Sequence, residues 1–265
     1  MDLFRFRRGT SPLLVSVPHA GTYLPPELRA RLTGTALELP DTDWHVDRLY
    51  DFLDDLGASV LVATHSRYVI DLNRPPDNAN LYPGQDTTGL VPIDTVARAE
   101  VYLPGEVPGE GEVAARRAQY WQPYHDRLER ELERIRAAHG YALLWDAHSI
   151  PSEVPRFFPG RLPDLNVGTN GGASCGAAME AVVSAVAERA SGYTAVLNGR
   201  FKGGYITRHY GRPAERTHAI QLELSQRTYM NEPPPFEFRE ELAAKVRPTL
   251  RTMLETYLRA AAGSA

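Results

Sequence analysis

Short apolar runs alternate with segments of helical periodicity along most of the chain. The runs are too short for helices and are bounded by Gly, Pro or polar residues, which is typical of buried strands. The predicted strands cover residues 13–17, 58–63, 68–72, 141–145, 194–197, 205–207 and 218–224. The predicted helices cover residues 43–57, 112–139, 177–189 and 236–261, with Pro123 as a kink or a helix start. Apolar strands separated by helices predict an α/β fold with a mixed, mostly parallel sheet flanked by helices on both faces.

Two long segments, residues 73–111 and 150–173, carry many Pro and Gly residues and little periodicity. Loops of this length are uncommon in compact domains and are either disordered or functional. The chain contains no internal repeat, and its 265 residues are within reach of one α/β domain. We therefore expect residues 1–265 to form a single domain.

Two histidines follow predicted strands and are candidate metal ligands. His19 comes after the strand 13–17, and His148 comes after the strand 141–145. In a sheet of this kind ligands bind beyond the carboxyl ends of the strands, so these side chains are expected to converge. Two neutral imidazoles and one carboxylate suffice for a catalytic zinc ion. Taken singly, each histidine is more often a hydrogen-bonded structural residue.

The carboxylate ligand has three candidates near the start of the predicted helix 43–57. Asp41, Asp43 and Asp47 lie within seven residues of each other. Projection of the helix puts Asp43 near the edge of its apolar face and Asp47 further towards solvent, which favours Asp43. An aspartate in that position serves equally well as a helix N-cap. The choice between ligand and cap stays open at this point.

Glu223 is the candidate general base. It lies in the segment THAIQLELS, which is otherwise too apolar for a carboxylate without a partner. Burial raises the pKa of such a group towards the range in which it can accept and return protons. An ordinary salt bridge to an arginine explains the pattern equally well.

Three arginines are candidate anion-binding residues. Arg67 and Arg74 bracket the segment SRYVIDLNR, and Arg208 lies in GGYITRHYG. A guanidinium binds a carboxylate through two parallel hydrogen bonds, and Asn73 adds neutral donors beside Arg74. Without further context, each arginine is more often solvated or paired with an acid such as Asp71.

Composition and charge narrow the class of protein. Hydrophobic residues make up 43% of the chain, enough for a sizeable core and too many for disorder. The net charge of −4 argues against a nucleic-acid or anionic-membrane surface. A single cysteine, Cys175, excludes an internal disulfide and a Cys-rich zinc site, which favours the cytoplasm. The N-terminal segment MDLFRFRRGT lacks the apolar stretch of a signal peptide, and no run is long enough to span a membrane.

Six segments, read together, resemble the N-formylglutamate amidohydrolase (deformylase) family. They are LLVSVPHAGTYLPPEL, DTDWHVDRLYDFL, SRYVIDLNRPPDNANLYPGQDTTGL, LLWDAHSIPSEVPRFFPGRLPDLNVGTNGGASC, VLNGRFKGGYITRHYG and HAIQLELSQRTYM. The resemblance extends from about residue 10 to residue 232. It implies a zinc-carboxypeptidase-like (phosphorylase/hydrolase-like) α/β fold related to aspartoacylases and succinylglutamate desuccinylases. It also implies hydrolysis of N-formyl-L-glutamate to formate and L-glutamate in histidine degradation.

The resemblance also implies roles for individual residues. It makes His19, Asp43 (or, less favoured, Asp47) and His148 the ligands of one Zn²⁺ per chain, for which Co²⁺ or Mn²⁺ are substitutes. Asn73 and Arg74 match the Asn-Arg pair that binds a substrate carboxylate, and Glu223 matches the catalytic glutamate. Thr22 stands where wider relatives have the glutamate of a His-x-x-Glu pair, so the carboxylate ligand must come from elsewhere. Arg208 is expected to hold the second substrate carboxylate.

Two other functions remain compatible with these residues. One is a zinc amidase of the same fold that acts on another N-acyl amino acid or a peptide end. The other is a non-catalytic protein that binds acidic ligands with the same arginines. The oligomeric state is left open.

Overall fold

A seven-stranded mixed sheet forms the centre of the molecule in the computed structural model, which describes residues 1–263. The strands are β1 (Phe4–Arg7), β2 (Leu13–Val17), β3 (Ser59–Ala63), β4 (Ala142–Ile150), β5 (Leu165–Gly168), β6 (Ala195–Leu197) and β7 (Thr217–Ser225). Their order across the sheet is β1-β3-β2-β4-β7-β5-β6. The four strands β3, β2, β4 and β7 are parallel, whereas β1 and β5 run antiparallel to their neighbours β3 and β7. The predicted α/β fold with a mixed, mostly parallel sheet is confirmed.

Helices cover both faces of the sheet. They are α1 (Pro26–Arg29), α2 (Gly34–Leu37), α3 (Val46–Leu49), α4 (Glu110–Arg116), α5 (Gln122–His139), α6 (Ala177–Glu188), α7 (Tyr205–Tyr210) and α8 (Glu240–Ala262). Successive strand residues point to opposite faces, so Leu13 packs in the core beneath α6 and α8 and Leu14 in the core beneath α5. Both faces are therefore apolar, which explains why the strands lack polar alternation. No helix within residues 1–263 is both long and apolar enough to cross a membrane.

The predicted helix over residues 112–139 is confirmed as one nearly continuous helical segment. A π-helical turn, Arg117–Trp121, joins α4 to α5, and Pro123 lies in the first turn of α5. Proline has no backbone N–H to donate into the preceding turn, so the regular hydrogen-bond pattern is interrupted there. Helix α6 agrees with its prediction, and α8 begins at Glu240 instead of residue 236. Phe236 has a left-handed φ of 58°, which a helix start does not tolerate.

The predicted helix over residues 43–57 is wrong for most of its length. Only Val46–Leu49 is helical, and the chain continues in turns to Gly57. His45 has a left-handed φ of 62°, which prevents a helix from beginning at Asp43. The apolar side chains of Val46 and Leu49 are nevertheless buried. The apolar periodicity therefore reflects the burial of these side chains, although the helix is short.

Two predicted strands are also wrong. Residues 68–72 form turns whose carbonyl oxygens accept hydrogen bonds from side chains: Arg116 Nη1 donates to the carbonyl oxygen of Val69 at 3.1 Å, and His125 Nε2 lies 2.8 Å from that of Leu72. These bonds replace the strand pairing that the apolar run suggested. Residues 205–207 begin the short helix α7 after the glycine pair that precedes Tyr205.

Three strands differ from the prediction, and the difference in β4 affects the site. Strand β4 continues through Ile150, so His148 lies within the strand and not beyond its end. Strand β1 was missed because Phe4 and Phe6 alternate with exposed arginines at the sheet edge, and β5 because it lies within a Pro- and Gly-rich segment. In the described chain, residues 73–109 contain no regular helix or strand, in agreement with the predicted loop over residues 73–111, of which the last two belong to α4.

Candidate active site

One cavity at the carboxyl edge of the parallel strands is lined by seven of the eight predicted site residues. His19 follows β2, and His148 and Glu223 lie on the adjacent strands β4 and β7. The register pairs His148 directly with Glu223, so the two side chains stand side by side on one face of the sheet. Residues more than a hundred positions apart therefore meet because neighbouring parallel strands end at one edge.

His19, Asp43 and His148 form a compact, buried group of metal-type donors. One ligand atom from each lies within 4.8 Å of the others, and each residue is at most 3% exposed. Asp43 Oδ2 lies 3.0 Å from His148 Nδ1 and 3.8 Å from His19 Nδ1. Both imidazoles thus direct the same ring nitrogen towards one carboxylate oxygen.

A further carboxylate lies next to the other ring nitrogen, Nε2, of each histidine. His19 Nε2 is 2.7 Å from Asp71 Oδ1, and His148 Nε2 is 3.1 Å from Asp146 Oδ1. Metal-bound histidines commonly donate their distal N–H to a carboxylate, which fixes the tautomer and orients the ring. The donor set therefore fits a divalent cation between the two Nδ1 atoms and Asp43.

The charges around this group favour a cation. Burial alone lowers the pKa of His148, but Asp146 and Asp43 outweigh it and hold that pKa well above its ordinary value. Burial and the positive charge of Arg67 instead lower the pKa of His19. Asp43 and Asp146 therefore stabilise positive charge at this end of the cavity, next to the position between the two Nδ1 atoms and Asp43.

Asp43 does not act as the helix cap that the sequence also allowed. Its Oδ2 accepts a hydrogen bond from the backbone N–H of Ser149 at 3.2 Å, and α3 begins at Val46 without a side-chain cap. Asp47 pairs with Arg5 at the surface. The structure therefore favours Asp43 over Asp47 as the carboxylate donor of the group.

Glu223 is buried with little polar contact. It is 8% exposed, and its Oε2 lies 3.4 Å from Gln221 Nε2. Burial raises the pKa of Glu223 to about 8, although the neighbouring His148 acts in the opposite direction. A carboxyl group with such a pKa can accept a proton and return it near neutral pH.

Arg67 and Arg74 both line the cavity but differ in their partners. Arg67 Nη2 donates to Asp71 Oδ2 at 2.5 Å. Burial alone lowers the pKa of Arg67, but Asp71 and two other aspartates outweigh it and raise that pKa. Arg74 donates from Nε to the carbonyl oxygen of Thr88 at 2.8 Å and from Nη2 to its hydroxyl at 3.0 Å. Only Arg67 therefore has its charge compensated by a carboxylate.

Asn73 lines the cavity but is tied into the protein. Its Oδ1 accepts a hydrogen bond from the backbone N–H of Ile206 at 2.8 Å, and its Nδ2 lies 3.1 Å from Asp146 Oδ2 and 2.8 Å from His148 Nε2. These contacts orient the residues behind the metal-type donors. Substrate binding by Asn73 stays a prediction.

Arg208 is the predicted residue that does not line the cavity. Its Nε donates to the carbonyl oxygen of Gly203 at 2.8 Å, and its guanidinium lies 4.7 Å from the centre of the Tyr82 ring. Its predicted contact with substrate stays a prediction.

Sequence reasoning missed three residues of the site. Asp71 and Asp146 stand behind the histidines, and Arg200 lines the cavity. Asp146 could have been found, because a residue two positions before His148 on a strand shares its face. Arg200 carried no such signal, since it follows a short edge strand and reaches the cavity through a loop.

Comparison with known proteins gives the family. The family model for N-formylglutamate amidohydrolase matches residues 11–230. The chain belongs to the N-formylglutamate amidohydrolase family. Among the relatives of this family member, the N-formylglutamate deformylase of Pseudomonas aeruginosa is 52% identical over 257 residues, covering 97% of this chain and 96% of that protein.

Two further relatives extend the comparison. The N-formylglutamate deformylase of Pseudomonas putida is 51% identical over 253 residues, covering 96% of this chain and 94% of that protein. The crystal structure of N-formylglutamate amidohydrolase from Ralstonia eutropha JMP134 has a TM-score of 0.82 at 28% identity, covering 98% of this chain and 99% of that one. The family likeness thus extends over nearly the whole chain in both sequence and fold.

Proposed function

We propose that this protein hydrolyses N-formyl-L-glutamate to formate and L-glutamate. The observation that carries the proposal is one cavity that combines a buried donor group, an adjacent protonatable glutamate and several arginines. Two relatives that are about half identical to this chain are named N-formylglutamate deformylases. The cavity contains the groups that hydrolysis of a small acidic amide requires.

We assign His19, Asp43 and His148 as the ligands of one Zn²⁺ per chain, with Co²⁺ or Mn²⁺ as substitutes. When bound, such an ion polarises the formyl carbonyl and acidifies the attacking water. Asp71 and Asp146 keep the two imidazoles oriented for this role through their distal nitrogens.

Glu223 acts as the proton carrier. It takes a proton from the attacking water and delivers it to the amide nitrogen, so that glutamate leaves as a neutral amine. Its position beside His148 in the strand register supports this role, as does the pKa of about 8 that burial gives it. Water attacks the formyl carbon, the C–N bond breaks, and formate and L-glutamate are released.

The arginines bind and orient the substrate. Arg74, whose partners in the protein are neutral, holds the α-carboxylate. Arg67, which pairs with Asp71 and lines the same cavity, stabilises negative charge on the formyl oxygen during attack. Asn73 positions His148. Arg208 packs against Tyr82 and does not line the cavity, so we assign it no contact with the substrate.

The proposed function extends to the architecture of the protein, its pathway and its location in the cell. We infer a zinc-carboxypeptidase-like architecture, a single domain over residues 1–265 and a role in histidine degradation. The net charge of −4 and the buried free thiol of Cys175 are compatible with a cytoplasmic enzyme that acts on a small molecule and binds neither nucleic acid nor membrane.

A formate-release assay tests the proposal. Purified protein supplied with Zn²⁺ is expected to release formate from N-formyl-L-glutamate much faster than from N-formyl-L-aspartate. Faster release from another N-acyl amino acid would instead indicate an amidase of different specificity. If Zn²⁺, Co²⁺ and Mn²⁺ all fail to support formate release, the protein is not a deformylase.

A further inference from the structure

Two arginines in the cavity have no carboxylate partner. Within residues 1–263, no carboxylate oxygen lies within 4 Å of the guanidinium of Arg74 or Arg200, whereas Arg67 is paired with Asp71. We propose that Arg200 selects substrates with an acidic side chain by binding the side-chain carboxylate while Arg74 binds the α-carboxylate. This inference rests on the proposed deformylase function and adds a residue to it.

Arg200 is held in place by neutral groups. Its Nε donates to the carbonyl oxygen of Phe157 at 2.8 Å, and its Nη2 donates to the backbone carbonyl oxygen of Asp86 at 3.1 Å. The rings of Tyr82, Phe157 and Phe201 lie 5.3 to 5.4 Å from its guanidinium carbon. In the described chain Nη1 donates to no protein acceptor, so an oriented N–H pair remains available to a ligand.

Asp86, whose backbone carbonyl Arg200 contacts, pairs its carboxylate with other arginines. The carboxylate of Asp86 is already engaged, since its Oδ1 lies 3.0 Å from Arg156 Nη2 and its Oδ2 pairs with Arg98. Burial lowers the pKa of Arg200, and the positive charge of Arg74 lowers it further. Two partly desolvated like charges therefore face one cavity, an arrangement that a ligand with two carboxylates stabilises.

The order of groups along the cavity assigns each arginine to one carboxylate. Arg74 is tied to the donor group, since its Nη1 donates to the carbonyl oxygen of Asn73 at 3.2 Å and Asn73 Nδ2 lies 2.8 Å from His148 Nε2. Arg200 is instead bound to the loop carbonyl oxygens of Phe157 and Asp86. In N-formylglutamate the α-carboxylate is two bonds from the amide nitrogen, and the side-chain carboxylate is two bonds further along the chain. With the formyl group at Glu223, the nearer Arg74 meets the α-carboxylate and the farther Arg200 meets the side chain.

Arg208 offers a matched control. Arg200 and Arg208 lie 5.3 Å and 4.7 Å from the centre of the Tyr82 ring, but only Arg200 lines the cavity. An Arg-to-Met change at either position removes one charge and one contact with the same ring. The two variants therefore differ in one respect: only R200M is expected to lose a direct contact with the substrate.

The experiment compares two substrates of equal size, N-formyl-L-glutamate and N-formyl-L-glutamine, on wild type, R200M, R208M and R74M. In R200M the ratio of kcat/KM for the acid over the amide is expected to fall about 10- to 100-fold, mainly through KM for the acid. In R208M the ratio stays close to that of wild type. In R74M both values of kcat/KM fall together, because both substrates carry the α-carboxylate. Both values of kcat/KM are measured on the same preparation of each variant, so the fraction of folded protein cancels from their ratio.

The inference is overturned if R200M retains the wild-type ratio or if R208M loses it. Calorimetric binding of L-glutamate and L-glutamine to the same proteins separates this failure from that of the proposed function. If wild type hydrolyses no formyl amino acid, the proposed function fails. A preference for glutamate that is lost in R200M would then still support the role of Arg200, and equal binding of both ligands by wild type would contradict it.

Discussion

Replacement of Glu223 by glutamine is expected to slow the reaction and stabilise the protein at the same time. Glutamine has nearly the same shape but cannot accept a proton from water. General-base catalysis typically contributes about 10²- to 10⁴-fold, so kcat should fall by that amount with little change in KM. Glu223 touches the reacting water and not the binding arginines in the proposed reaction.

The stabilisation follows from the raised pKa of Glu223. Its pKa is about 8 in the folded protein against 4.5 for the ordinary group, so between these values the unfolded chain ionises first. Wild type therefore loses stability relative to E223Q as pH rises, by about 1.4 kcal/mol per pH unit. Relative to low pH, where the group is protonated in both states, the loss is about 1 kcal/mol at pH 5 and about 3 kcal/mol at pH 7.

Two assays test this pair of effects. Formate release measures kcat and KM, and urea unfolding of the metal-free proteins at pH 5 and pH 7 measures the free energy of unfolding. A stability gain that is equal at the two pH values would show that burial does not raise the pKa of Glu223. Equal turnover of wild type and E223Q would remove Glu223 from the mechanism.

Three further predictions follow from contacts around the site. Arg74→Ala should raise KM for N-formyl-L-glutamate by about 10- to 100-fold in steady-state assays, because it loses a charge-assisted contact of about 1.5 to 3 kcal/mol; an unchanged KM would refute its role. Asp71→Asn should weaken zinc binding about 10- to 100-fold in a chelator competition, with the surface variant Asp47→Asn unaffected. Burial lowers the pKa of His125 to about 3, so only the unfolded chain takes up a proton as pH falls from 7 to 5. In urea unfolding, wild type should lose about 2 kcal/mol relative to His125→Gln over that range, and parallel pH profiles would contradict this.

The sheet and its active edge were accessible from sequence because buried strands are unusually apolar. The run Leu13–Val17 has one polar residue, which predicts a strand covered on both faces. In Thr217–Ser225 the apolar Ile220, Leu222 and Leu224 alternate with a second set of residues that includes Glu223. A polar residue that follows a buried strand, like His19, or lies within one, like Glu223, is then a candidate site residue. The rule that ligands bind at the carboxyl ends of strands brings these residues together without coordinates.

The segment around Asp43 could not be predicted by the same reasoning. Its apolar spacing is produced equally well by a helix and by successive buried turns, and the left-handed backbone of His45 selects the turns. Asp43 satisfies its charge with His148 and Ser149, which lie on a distant strand. The rules for helix capping consider only residues that are close in sequence, so they could not identify these partners of Asp43.

The choice between Arg200 and Arg208 also lay beyond sequence reasoning. Arg200 follows β6 and Arg208 lies in α7 eight residues later, and the family resemblance covers both without separating them. Their positions depend on the long loop that contains Tyr82, which has no periodicity to predict its path. Only the contacts of that loop with Gly203 and with the two guanidiniums distinguish the cavity side from the outer side.

Metal content and formate release, measured on the same preparations of wild type and His19→Ala, test the proposed metal site most directly. We expect about one zinc ion per wild-type chain, formate release that is lost on chelation and restored by Zn²⁺, and neither bound metal nor activity in His19→Ala. Full formate release by wild type with less than about half a metal ion per chain would contradict the proposed metal site.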